Sequence, residues 1–140
     1  MKNRIACASL VLCLICVFLL GCATAGEIVP YENPIFESAG LTLSSNMDVV
    51  FLAGTRRNCS SIYVSSCTLE KRNSNGTWSH ETSLTPPSDV AYNTSDFAAQ
   101  KNYASSCDEG NTYRVVVVFS AIYNGTEYTV DRTSRSVTYK

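Results

Sequence analysis

Tyr113-Arg114-Val115-Val116-Val117-Val118-Phe119-Ser120-Ala121-Ile122-Tyr123-Asn124-Gly125-Thr126 decides how this chain folds. Val115 to Phe119 are β-branched or aromatic, the side chains that suit a pleated strand. Asn124-Gly125 follows at once, and both residues tolerate the positive φ of a type I′ turn. The chain therefore doubles back over Thr126 to Asp131. Val137-Thr138-Tyr139 extends the sheet after a bulge near Thr133 to Ser136. The strand at 113–123 is apolar on both faces, where a half-exposed strand would alternate, so it is predicted to be central. Val116, Val118 and Ile122 carry the question of its outer face. Either neighbouring groups cover them, or they form an exposed interaction face.

The β signals continue towards the N-terminus. Val49-Val50-Phe51-Leu52 is an apolar run closed by Gly54. Ile62 to Leu69 alternates, which predicts Tyr63, Ser65, Cys67 and Leu69 on one face and Ile62, Val64, Ser66 and Thr68 on the other. Asn73-Ser74-Asn75-Gly76 is a turn, Thr77 to Ser83 a returning strand with Trp78, and Pro86-Pro87 its stop. Asp89 to Ala104 reads as one or two irregular strands, and Ser105 to Asn111 as a loop. Residues 26–40 contain Pro30 and Pro34 and read as an extended linker or a loose first strand. No stretch of the mature chain has a convincing helical period. Residues 41–140 are thus one all-β domain.

The leader is legible in a different way. Met1-Lys2-Asn3-Arg4 is a short positive region, Ile5 to Leu20 an apolar run broken by Ser9, and Ala23-Thr24-Ala25 a cleavage site before Gly26. Residues 1–25 are therefore expected to be a helical signal peptide. The 16-residue core is shorter than the roughly 20 residues a spanning helix needs. Leu19-Leu20-Gly21-Cys22 also resembles a bacterial lipobox, with Cys22 as the lipidated residue. The protein is then either secreted free after cleavage at Ala25–Gly26, or held outside the cytoplasm by a lipid on Cys22. Contact with the membrane is expected only through the leader or that lipid.

Composition narrows the function classes. The whole chain carries 11 basic and 12 acidic residues. Lys2 and Arg4 leave with the leader, so the mature part is slightly acidic. That balance offers no broad basic surface for a phosphate backbone, and nucleic acid is not an expected partner. Four of the seven cysteines, Cys7, Cys13, Cys16 and Cys22, lie in the leader. Cys59, Cys67 and Cys107 remain, with no CxxC pair, which argues against a disulfide scaffold or a zinc finger.

Several landmarks recur in a meaningful order. Leu69-Glu70-Lys71 precedes Asn75-Gly76-Thr77-Trp78, Thr112-Tyr113-Arg114-Val115 opens the long strand, and Ile122-Tyr123-Asn124-Gly125 closes it, with Tyr139 near the end. This order resembles a family of small uncharacterised secreted proteins of Gram-positive bacteria. The resemblance implies an immunoglobulin-like or fibronectin-III-like antiparallel β-sandwich of about seven strands, and no established activity. Tyr113, preceded by Gly110, then resembles the tyrosine-corner residue of such folds. In a sandwich Cys67 and Cys107 become neighbours. A bond between them would close a loop of about 40 residues and stabilise by roughly 3–4 kcal/mol; the alternative is three free thiols.

No catalytic, metal or cofactor set stands out. His80 is the single histidine, and pairing it with Cys59 or Cys107 would require distant elements to meet. Asp108-Glu109-Gly110-Asn111 clusters oxygens without the frame of a built calcium site, and reads as an acidic turn. The sequons at Asn58, Asn75, Asn93 and Asn124 read as coincidental, two of them being Asn-Gly-Thr turns. The sequence therefore predicts a non-enzymatic binding module whose partner is a protein or a cell-envelope polymer. The alternative is a secreted inhibitor or effector acting through an Arg56 to Ser60 loop.

Overall fold

The computed structural model describes residues 33–140. The expectations for the leader with Cys22, Ala25 and Gly26, and for residues 26–32 of the segment 26–40, lie outside these residues. Seven strands form: β1 (Phe36–Leu43), β2 (Asp48–Arg72), β3 (Trp78–Leu84), β4 (Val90–Asn102), β5 (Thr112–Tyr123), β6 (Thr126–Thr133) and β7 (Val137–Thr138). All pairings are antiparallel and belong to one seven-stranded sheet. The all-β antiparallel class agrees with the sequence reading. The sheet is continuous and curled, with no division into two separately bonded sheets.

The continuity comes from β2. The run read as ending at Gly54 passes through it and reaches Arg72, 25 residues in all. Its first half lies between β1 and β4, and its second between β3 and β5. β3 and β4 run back along the same edge of β2, interrupted only at Thr85–Asp89, where Pro86 and Pro87 cannot donate ladder bonds. The Asn73–Gly76 turn joins the two legs, with Asn73 N–H bonded to Thr77 O at 2.8 Å. β2 bends because it carries extra residues: its register shifts between Gly54 and Cys59, and again between Val64 and Ser66.

The second bulge corrects the face assignment made from alternation. Ser65 and Ser66 both sit exposed, so the pattern flips. Ile62, Val64, Cys67 and Leu69 all reach the core. Ser65 uses its hydroxyl to meet Val118 O at 3.2 Å.

β5 and β6 close on the type I′ turn, with φ of 50° at Asn124 and 76° at Gly125. The bulge after Thr133 is filled by Ser134, which is buried and accepts Val115 N–H through its hydroxyl at 2.9 Å. The curl brings the free edges of β1 and β6 together. Arg132 Nε donates to Ala39 O at 2.9 Å and Asn33 Nδ2 to Thr129 O at 3.1 Å. Phe36, with Ile35 just before β1, is buried, so this end of the 26–40 segment is part of the domain.

The core is lined by Phe36, Leu43, Val49, Phe51, Ile62, Leu69 and the inward face of β5: Tyr113, Val115, Val117, Phe119 and Ala121. Phe97 meets Phe119 edge to face, with centroids 6.3 Å apart. Tyr113 is fully buried, and its hydroxyl accepts Asp108 N–H at 3.0 Å.

Candidate binding face

The outward face of β5 carries Arg114, Val116, Val118, Ser120 and Ile122. Val116, Val118 and Ile122 are half-buried, covered by neighbours on β2 and β6. Val116 lies between Thr68 and Thr133, and Val118 between Ser66 and Asp131. Arg114 bonds Glu70 through Nε and lies over the Trp78 ring, 4.4 Å from its centroid. The lower part of this face is therefore a polar cover over two aliphatic side chains, Val116 and Val118.

Its upper part is different. Two cross-strand rows run over four strands. One is Val90, Tyr63, Ser120 and Thr129; the other is Tyr92, Ser61, Ile122 and Glu127. The Tyr63 hydroxyl donates to Glu127 Oε1 at 2.8 Å. Tyr63 belongs to β2 and Glu127 to β6, so the Tyr63 side chain must cross β5 to make this bond. It crosses at Ser120, its cross-strand neighbour, which is wholly buried as a result. The ring is thus pinned along the sheet. Glu127 raises the Tyr63 pKa by accepting its proton-bearing bond, and burial adds to the rise. The Ser120 hydroxyl lies near enough to temper that rise, but not in hydrogen-bond geometry, and Ser120 Oγ has no partner. Beside Tyr63, Tyr92 is 69% exposed and Val90 38%. These are two of the three exposed large apolar side chains among the described residues, the third being Leu52.

Leu52 marks the other half of the molecule. There Ser38, Leu52, Gly54, Asp96, Phe97 and Ala98 border an open hollow of about 410 Å³. A Cβ on Gly54 would come within 2.7 Å of Ser38 Oγ, so the strands approach closely here. Asp96 is the hollow's only ionisable lining group, and a binding pocket needs several converging polar groups.

The cysteines lie elsewhere, and all three are free. Of the two alternatives for Cys67 and Cys107, the structure has the free thiols, each in contact with Tyr103. Cys67 interacts with the Tyr103 hydroxyl, which donates to Thr85 O at 2.9 Å, while Cys107 Sγ meets the Tyr103 backbone carbonyl at 3.5 Å. Burial pushes each thiol up to about 11, and Asp108 and Glu81 add to the rise at Cys107. Both shifts run opposite to nucleophile activation. Cys59 is buried beside Thr55, whereas exposed His80 lies opposite Glu70 and meets the Ser83 hydroxyl at 3.5 Å. Eleven residues of β2 separate Cys59 from Glu70, a span on the order of 30 Å. The structure does not bring that pair together.

Arg56 to Ser60 is not a protruding loop. It is the first bulge of β2, held by Arg56 N–H to Ile35 O at 2.9 Å and by the Thr55 hydroxyl on Arg57 O and Ser95 O. The acidic turn is tied to the C-terminal strand by Gly110 N–H to Tyr139 O at 2.9 Å. Among the described residues, no cluster of three His, Cys, Asp or Glu is placed to hold a metal.

The fold and this face define an all-β domain with an aromatic-bearing sheet surface. No family model and no curated protein matches the chain. Among solved structures, the crystal structure of a Br derivative of BhCBM56 matches with 11% identity over 77% of this chain and 96% of that one, at a TM-score of 0.33. At that score the likeness carries no weight for fold or function.

Sequence reasoning found Ile122 and the outer face of β5, but it missed Tyr63, Tyr92 and Glu127. A Tyr on a strand is more often core than surface, and only the register shows that these three share a side.

Proposed function

We propose that this chain is a non-enzymatic binding module, exported and active at or outside a bacterial envelope, built as an immunoglobulin-like sandwich. It engages its partner through the outer face of β4, β2, β5 and β6. The observation that carries this reading is Tyr92, 69% exposed beside a Tyr63 held by Glu127. Exposed tyrosines on a rigid sheet provide contact area at small entropic cost. The leader supports the address, and the bond from Asp108 N–H to Tyr113 supports the sandwich reading. The inhibitor alternative loses its expected loop, since Arg56 to Ser60 is held in β2.

Co-sedimentation of the mature protein with isolated envelopes of the producing organism tests the reading. Tyr92→Ala with Ile122→Ser should abolish co-sedimentation while the protein still unfolds cooperatively, with a loss of no more than about 2 kcal/mol for the half-buried Ile122. Cys59→Ala with His80→Ala should leave it unchanged. A wild-type protein that stays in the supernatant, or a Tyr92/Ile122 variant that still sediments, would overturn it.

A further inference from the structure

We infer that the ligand of this face is a neutral or amino-bearing polysaccharide laid across the strands along the Tyr92–Ser61–Ile122–Glu127 row. The inference rests on the binding-module reading and adds the ligand's chemistry.

Three observations point to a glycan. The first is shape. Sheet strands are spaced about 4.8 Å apart, so this four-residue row spans roughly 14 Å, a platform for a short run of linked sugar rings. The row lies across the strands of a sheet surface, whereas protein interfaces are dominated by anchors seated in pockets. The hollow at Gly54 belongs to the other half of the molecule.

The second is chemistry. A sugar ring has an apolar C–H face and a rim of hydroxyls. Tyr92 and the pinned Tyr63 can stack on the former, with Val90 and Ile122 extending the apolar strip. Glu127 and Thr129 stand on the rim to accept or donate hydrogen bonds. Cross-strand diagonal neighbours such as Tyr63 and Tyr92 have Cα atoms about 7–8 Å apart, so adjacent parts of one ligand can reach both rings.

The third is charge. Beside the Tyr92 row the charged groups are the exposed Glu127 and Asp131; Glu70 pairs with Arg114 at the lower end of the face, and Arg72 lies beyond them at the turn into β3. The resulting negative potential repels polyanionic polymers and admits neutral or amino sugars. The Tyr63–Glu127 bond orients one carboxylate oxygen before any ligand arrives, which reduces the ordering cost of binding.

The test divides one envelope preparation into two. Periodate cleaves the vicinal diols of glycans, and proteinase K removes proteins. Wild-type protein should lose co-sedimentation after periodate and keep it after proteinase K. Cellohexaose or a fully deacetylated chitosan hexamer, both of periodate-sensitive type, should compete, while polygalacturonate should not. Tyr92→Ala should weaken binding roughly tenfold, and Tyr63→Phe, which keeps the ring but frees it from Glu127, should weaken it less. Binding that survives periodate and disappears after proteinase K would overturn the glycan while leaving the binding face intact. Competition by polygalacturonate alone would overturn the charge argument and the inference with it. Full binding by Tyr92→Ala would overturn the face itself, and the reading on which the inference rests.

Discussion

The two faces of β5 are alike in sequence and unlike in the molecule. Tyr113, Val115, Val117, Phe119 and Ala121 point inwards and are all fully buried. Arg114, Val116, Val118, Ser120 and Ile122 point outwards beneath a partial cover of Thr, Ser, Tyr and acidic side chains from β2 and β6. The inner face gains its stability from close packing, where every removed methylene is felt. The outer face is arranged by a few polar contacts: Arg114 with Glu70, Ser65 with Val118 O, and Tyr63 with Glu127. An apolar strand can thus be central without a second core above it.

Substitutions on the two faces should separate accordingly. Phe119→Ala should have the largest effect, a loss of about 3–5 kcal/mol, as for other large aromatic truncations in a core. Urea unfolding measures it, and a loss below that of an outer-face valine would break the comparison. Alkaline pH comes next. Cys67 faces inwards, and its pKa stands at about 11 rather than 9.0. The unfolded chain releases this proton first, so stability is full below pH 9 and falls as pH rises towards 11. The drop attributable to Cys67 is roughly 2–3 kcal/mol. Cys67→Val should flatten that part of the urea-midpoint profile between pH 9 and 11; an unchanged profile would contradict the assignment.

Tyr113→Phe tests the bond from Asp108 N–H to the phenol on the inner face. It leaves Asp108 N–H without its acceptor and should cost about 1–2 kcal/mol. On the outer face, Val118→Ala should cost less than about 1 kcal/mol, since the side chain is already half open to water. Ser120→Ala should be close to neutral or slightly stabilising, because it removes a buried hydroxyl that has no partner. A clear destabilisation there would mean that Ser120 contributes to holding Tyr63.

Local chemistry explains which parts were legible in the sequence. Asn124-Gly125 and Asn73-Ser74-Asn75-Gly76 announce their turns because positive φ selects those residues, and both turns form. The bulge near Thr133 to Ser136 was visible as polar residues interrupting a strand pattern. What the sequence hid was non-local. Gly54 looked like a strand end, yet Thr55 supplies side-chain bonds that carry β2 through the bend. The Ser65–Ser66 bulge defeats strict alternation, because one extra residue exchanges the faces. Met47 takes φ of 63° while fully buried, a backbone state that the preceding Asn46 would adopt more readily. The binding face was only partly legible, since Tyr63, Tyr92 and Glu127 are far apart in the chain and meet only through the register of three strand pairs. Of the two cysteine readings, three free thiols is the one the structure has, and Tyr103, which contacts both Cys67 and Cys107, lies outside any local pattern.

Hydroxyl-radical footprinting, read by mass spectrometry on the mature protein with and without bound envelope fragments, tests the division of labour most directly. Tyr92 and Tyr63 should become protected while Leu52, on the opposite half of the sheet, oxidises as before. Protection of Leu52 with Tyr92 still freely oxidised would place the binding surface elsewhere.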